Sequence, residues 1–175
     1  YLVRMGEFGE INFTLDQFKS YIREGHEAGW QIMVHANGDA AIDVVLTAYE
    51  GVLSGAAPHD LRHRIEHVSI SHPVHVRRRA AVGLSPSVLV ALGYWWGQVL
   101  RDSFLGPTRA AGLHPMVTAL AFGLRPSLHS DYNGSPIHPL RSASIAVLRP
   151  TADDGEVLGP EHRVTPEQAL RAVTV

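Results

Sequence analysis

VHANGDAAID, residues 34–43, decides the fold. An apolar run from Gln31 to Ala36 carries His35, a metal-competent side chain, and then breaks at Asn37-Gly38-Asp39. Beyond the break Ala41, Val45, Ala48 and Val52 recur at intervals of three and four, the spacing of one helix face. The stretch therefore reads as strand, turn, helix. RIEHVSI (residues 64–70, with His67) and LHSDYNGSPIHPL (residues 128–140, with Asp131) repeat the arrangement. Metal-competent side chains at the carboxyl ends of strands are how a parallel barrel presents its chemistry.

Outward from these segments the same alternation continues. Thr14-Leu15-Asp16-Gln17 is a capping box, and Leu15, Phe18 and Ile22 follow at helical spacing, so a helix is predicted from there to Gly29. Arg62–Val68 reads as a second strand, followed by a helix through Val76 and Ala80 to Gly83. Leu84–Val90 reads as a third strand, whose Pro86 points to an edge, an end or a bulge. Residues 93–123 are mixed: Trp95–Leu105 reads as helical, Gly106-Pro107 breaks it, and His114–Phe122 reads as helical again. Arg125–Asp131 is the fourth strand candidate, with a helix after Pro139. Thr165-Pro166-Glu167-Gln168 opens a last helix with proline at its first position.

A helix followed by about four strand–helix units predicts an α/β fold with a parallel sheet. Four units make half of a TIM-like (β/α)8 barrel, which typically takes about 250 residues. No linker divides the chain, so residues 1–175 read as one partial barrel domain. A start at Tyr1 rather than Met points to processing or to a fragment of a longer chain.

With 45% hydrophobic and 18% charged residues the composition is that of one globular domain. A net charge of -2, with no basic run longer than Arg77-Arg78-Arg79, argues against nucleic acid or an anionic membrane as partner. There are no cysteines, which excludes disulfides, thiolate metal sites and a cysteine nucleophile. No stretch approaches the roughly 20 apolar residues of a membrane span, and a cytoplasmic setting is expected. The 11 histidines are many for this length, and their positions must decide their roles.

Side chains alternate faces along a strand. With His35 pointing into the barrel, Met33 joins it while Ile32 and Val34 face the helices. With His67 pointing in, Ile65 joins it, and Arg64 and Glu66 share the outer face as a structural ion pair. Ser127, His129 and Asp131 share one face of the last strand. His35, His67 and Asp131 then converge at one rim. Imidazole nitrogens and a carboxylate suit zinc, and also manganese or iron. Such a metal lowers the pKa of a bound water to about 7. Asp131 is placed to accept that water's proton and deliver it to a leaving amine. His129, one layer below, orients a ligand.

VHANGDAAID, RIEHVSI and LHSDYNGSPIHPL, closing with TPEQALRAVTV (residues 165–175), resemble the second half of a metal-dependent amidohydrolase. The nearest branch is the YtcJ-like, amidohydrolase-3 group that includes N-substituted formamide deformylases. The resemblance implies strands five to eight of the barrel, with His35 ending the fifth strand, His67 the sixth and Asp131 the eighth. It implies His35 and His67 as metal ligands, and Asp131 as ligand and general acid/base. The cofactor implied is a divalent metal, most readily zinc, as one or two ions in the full-length enzyme. The activity implied is hydrolysis of amide-type C–N bonds of small molecules, not peptide bonds, with metal-bound hydroxide as nucleophile.

Three family features are missing. The first-strand His-x-His pair has no counterpart, and neither has the strand-four lysine, since the one lysine is Lys19 on a predicted helix. The small β-sandwich domain is also absent. The chain alone is therefore expected to be inactive, with a missing N-terminal half or a second copy as its partner. The alternative is a non-catalytic half-barrel that dimerises as a structural or binding module, because open sheet edges need cover.

Further residues carry lesser expectations. Gly93-Tyr94-Trp95-Trp96 reads either as an apolar pocket wall or as helix packing. Asn133 and Ser135 either orient Asp131 and touch substrate or simply form a turn. Asp39 caps the following helix. Arg77-Arg78-Arg79 reads as a solvated helix face and His26 as a helix-surface residue. His72 and His75 read as capping or exposed, and His59 and His63 are assigned no metal.

Overall fold

The computed structural model describes residues 9–54 and 60–174. Strands and helices alternate as the spacing predicts: α1 (Leu15–Glu27), β1 (Met33–Ala36), α2 (Asp39–Leu53), β2 (Arg64–His67), α3 (Pro73–Ala81) and β3 (Ser85–Val88). They continue with α4 (Val90–Val99), which runs into a π-helical turn (Leu100–Leu105), then α5 (Pro107–Ala111), α6 (Met116–Ala121), β4 (Ser127–Leu128) and α7 (Pro139–Leu148). A 3-10 turn (Pro160–His162) and α8 (Pro166–Thr174) complete the described order. Both predicted capping boxes form: the Gln17 N–H donates to the Thr14 hydroxyl at 3.3 Å, and the Gln168 N–H to that of Thr165 at 3.2 Å.

The strands form one four-stranded parallel sheet in the order β1-β2-β3-β4. β3 is thus an interior strand, which corrects the expectation that Pro86 marks an edge or an end. The reason lies in how short β4 is. Ser85 and Leu89 N–H groups donate towards β2, to His63 and His67 carbonyls. The alternate positions, Pro86 and Val88, therefore face β4, where pairing begins only at Ser87 opposite Ser127. Proline sits where no ladder bond is made.

One face of the sheet carries the main core. Ile42, Val45, Leu46 and Tyr49 of α2 cluster with Ala36 of β1 and Ile65 of β2, all buried. Fully burying an aliphatic side chain of this size stabilises by about 1.5–3 kcal/mol. The Tyr49 hydroxyl spans two strands, donating to the Ile32 and Arg64 carbonyls at 3.2 and 3.3 Å.

The opposite face differs from the expectation. In the parallel register Met33 neighbours Arg64 and His35 neighbours Glu66, so these four share a face. The Arg64 guanidinium reaches the Met33 sulfur at 3.0 Å and the Glu66 carboxylate at 2.9 Å. The ion pair exists, but it lies on the His35 face, while Ile65 belongs to the helix-packed core.

Two surface expectations are also corrected. Arg79 is 1% exposed, bonded through one nitrogen to the Ser71 hydroxyl, and Arg78 is held by Asp43 and Glu50 of α2 at 2.5 and 2.7 Å; only Arg77 is open. His26 is buried, its Nδ1 3.0 Å from Nε2 of His63. His72 and His75 do cap α3, and His59 lies outside the described residues.

Candidate metal site

Regular alternation would send His67 into the core beside Ile65. It does not, because His67 and Val68 both take left-handed backbone conformations, with φ of 71° and 44°. Such φ values are costly for non-glycine residues, about 1–3 kcal/mol each, and collect at functional sites. The break leaves Val68 in the core and sets the His67 ring against His35, with centroids 4.4 Å apart. The loops beyond β1 and β2 are tied together below this point. The Ser69 hydroxyl donates to the Asn37 side chain at 2.6 Å, and the Ile70 N–H to the Asn37 carbonyl at 3.0 Å.

From the other side β4 delivers His129, whose N–H donates to the Val88 carbonyl at 3.2 Å and so continues the strand pairing. Its ring lies 4.9 Å from that of His67. Asp131 follows, again with positive φ, at 51°. Donor atoms of His67, His129 and Asp131 lie within 4.8 Å of one another. Sequence reasoning placed His129 a layer below the ligands; here it stands level with them, while His35 adjoins the group through His67.

Two nitrogens settle whether these residues fit a cation. His67 Nδ1 and His129 Nε2 are buried and have no hydrogen-bond partner among the described residues. A buried polar atom without a partner costs about 1–3 kcal/mol, so two in one cluster call for a ligand. Burial, with the neighbouring His35 and His129, pushes the His67 imidazole down to about 4. Burial likewise lowers His129, against the pull of Glu66 and Asp131. Both rings are therefore neutral at pH 7, the form that binds metal. Two imidazoles and a carboxylate match a divalent ion of the zinc type.

Trp95 and Trp96 of α4 face the loop of residues 132–136 across a cavity of about 620 Å³, which Asn133 also lines. Ser135 donates its hydroxyl to the Ser130 carbonyl and so holds the loop. A second cavity, about 840 Å³, opens on the His35 side and includes Asn37, Asp39 and Arg109. Burial pushes the Asp39 carboxyl up, but the Ala40 N–H and the Arg109 guanidinium at 2.7 Å outweigh it and bring it below its ordinary value. The N-cap of α2 is Gly38, without a side-chain cap, which corrects the expectation for Asp39: it is the first helical residue and accepts the Ala40 N–H at 2.9 Å. Among the described residues no helix is long and apolar enough to cross a membrane.

The chain is similar to known proteins over most of its length. It is 32% identical over 147 residues to an N-substituted formamide deformylase of Arthrobacter pascens, covering 84% of this chain and 27% of that one. It is 28% identical over 166 residues to Protein LONG AFTER FAR-RED 3 of Arabidopsis thaliana, covering 91% and 27%. Among solved structures it resembles an uncharacterized metal-dependent hydrolase of Pyrococcus furiosus, with TM-score 0.73, 26% identity, and 93% and 31% of the two chains covered. A second such hydrolase, from Pyrococcus horikoshii OT3, shares the fold at TM-score 0.77 and 21% identity, covering 94% and 32%. The chain thus spans about a quarter of the length of the relatives it matches in sequence. The model of the amidohydrolase family matches residues 1–175, and it is to the amidohydrolase family that this chain belongs.

Proposed function

We propose that the chain is the strand-five-to-eight half of a metal-dependent hydrolase barrel that cleaves amide-type C–N bonds in small molecules. The observation that carries this reading is the pair of orphaned nitrogens on His67 and His129 beside Asp131. His35, His67 and Asp131 hold a divalent ion, zinc by its donor preference, and His129 supplies a further nitrogen beside them. When bound, such an ion acidifies a water to near neutrality and polarises the carbonyl it contacts.

The chain's own residues manage orientation and protons. Asp131 accepts the proton of the attacking water and returns it to the nitrogen as the C–N bond breaks, so that amide and water become acid and amine. The left-handed backbone at His67 and Asp131 aims both side chains at one point before any substrate arrives. The Arg64–Glu66 pair lies on the same sheet face and fixes the charge beside His129.

Elemental analysis after loading with zinc tests the site directly. Wild-type chain is expected to retain the ion through desalting and His67→Ala to lose it. Equal retention by the two would end the assignment. Hydrolysis of a formamide series by the full-length enzyme tests the reaction, and no turnover by a metal-loaded full-length enzyme would remove it.

A further inference from the structure

The aromatic cleft next to Asp131 has a geometry that the reaction alone does not require. Trp95 and Trp96 form one wall, and the loop of residues 132–136 forms the other. Trp96 is 58% exposed and Tyr132 73% exposed, a large outlay of apolar ring surface towards solvent. Trp95 is also the braced member: Tyr94 packs edge-on against it at 4.7 Å, and the Arg141 guanidinium stacks over it at 4.8 Å.

The cleft is joined to the proposed proton carrier. The Gly134 N–H donates to the Asp131 carbonyl at 2.5 Å. A methyl group on Gly134 would lie 2.9 Å from that carbonyl oxygen and 3.4 Å from Oδ2 of the Asp131 carboxylate. Gly134, which lines the cleft, thus stands directly against the Asp131 carboxylate with no side chain of its own.

These two facts fix which part of a substrate the cleft takes, given the reading above on which this inference rests. Asp131 returns its proton to the leaving nitrogen, so whatever occupies the space beside its carboxylate is bonded to that nitrogen. Indole and phenol faces favour a planar π-system over an aliphatic ring of the same size. We infer that the cleft between Trp95, Trp96 and the loop of residues 132–136 holds an aromatic substituent on the amide nitrogen. The acyl carbon faces the histidines. The enzyme is then selective for N-aryl over N-alkyl amides.

The three tryptophans supply a test that needs no turnover. Their indole N–H resonances are assigned with Trp95→Phe and Trp96→Phe, and the 175-residue chain is titrated with formanilide and with N-cyclohexylformamide, which match in size and differ in the π face. Formanilide should shift the Trp95 and Trp96 signals saturably while Trp30, beside β1, stays put. The cyclohexyl amide should bind about tenfold more weakly, the scale of aromatic stacking against two rings. Trp96→Ala should abolish that preference and Trp96→Phe should retain most of it.

Equal affinities for the two amides, or movement of Trp30 alone, would overturn the inference. So would unchanged selectivity in Trp96→Ala. Failure of the hydrolytic reading looks different. Selective ring binding by a full-length enzyme that hydrolyses neither amide keeps the cleft and removes the reaction. Hydrolysis of both amides with equal kcat/KM and equal affinity keeps the reaction and removes the cleft.

Discussion

His26 and His63 meet where the chain enters the sheet, and His67 and His129 meet where strands leave it; the two pairs are connected in opposite ways. His63 Nδ1 accepts the Ile32 N–H at 2.9 Å, so its own proton sits on Nε2 and is donated to His26 Nδ1 at 3.0 Å. That pair ties α1 to the segments that enter β1 and β2. At the other end, His67 Nδ1 and His129 Nε2 have no partner at all among the described residues, with Asp131 close by. His114 is an instructive third case. Its Nε2 is also orphaned and burial pushes it down to about 3, yet Arg149 is its foremost charged neighbour. Its ring presses on Gly93, where a methyl group would lie 3.3 Å away. Burial does not separate these histidines; what sets the proposed metal site apart is the convergence of unsatisfied nitrogens beside a carboxylate.

Substitutions at the carboxyl-end cluster should give the largest effects and should fall on function. In the full-length enzyme Asp131→Asn is expected to lower kcat by about 10²–10⁴-fold, the usual worth of a positioned acid/base. Its thermal midpoint should barely change. His67→Ala should weaken metal affinity more than about 100-fold, beyond what loss of a supporting residue costs. Near-normal turnover in Asp131→Asn, measured at saturating substrate, would break the comparison at its functional end.

The inner pair should respond in the reverse sense. His63→Ala strands the Ile32 N–H without its acceptor, which costs about 1–3 kcal/mol of stability. Urea unfolding monitored by circular dichroism should show the midpoint drop at unchanged slope. Zinc retention should match wild type. Loss of metal from His63→Ala in a folded protein would show that the two pairs are not separate systems.

The sequence carried some of this and concealed the rest. Strand ends and capping boxes were legible because each has a local signal, an apolar run broken by turn residues or a Thr-x-x-Gln at a helix start. The parallel sense of the sheet followed from the alternation of elements. The burial of His26 and Arg79 does have a signal in the sequence. His26 lies four residues after Ile22 and Arg79 three after Val76, so each shares the face of a buried neighbour. The placement of Pro86 was not legible, because it depends on β4 being two residues long. The facing of His67 was hidden as well. Alternation extrapolated through the strand end puts Ile65 and His67 on one side, and a positive φ at a histidine and a valine has no compositional mark.

The smallest expected effect concerns pH, and its sign follows from the geometry of the inner pair. Burial, then the adjacent His26, hold the His63 imidazole below its ordinary value of 6.5, and an Nδ1 that must accept the Ile32 N–H cannot also carry a proton. The unfolded chain therefore binds a proton at His63 before the folded chain does. Stability from this residue is complete above about pH 6.5 and is lost as pH falls below it. His63→Gln keeps an acceptor for Ile32 and a donor for His26 but removes the titration. Between pH 6.5 and 5 its stability should fall with pH less steeply than that of wild type, by at most about one proton, or 1.4 kcal/mol per pH unit. Urea midpoints across that range give the two slopes. Parallel slopes would mean that His63 takes its proton equally well folded, and the inner pair would then not be the closed, neutral contact that sets it apart from the cluster at the strand ends.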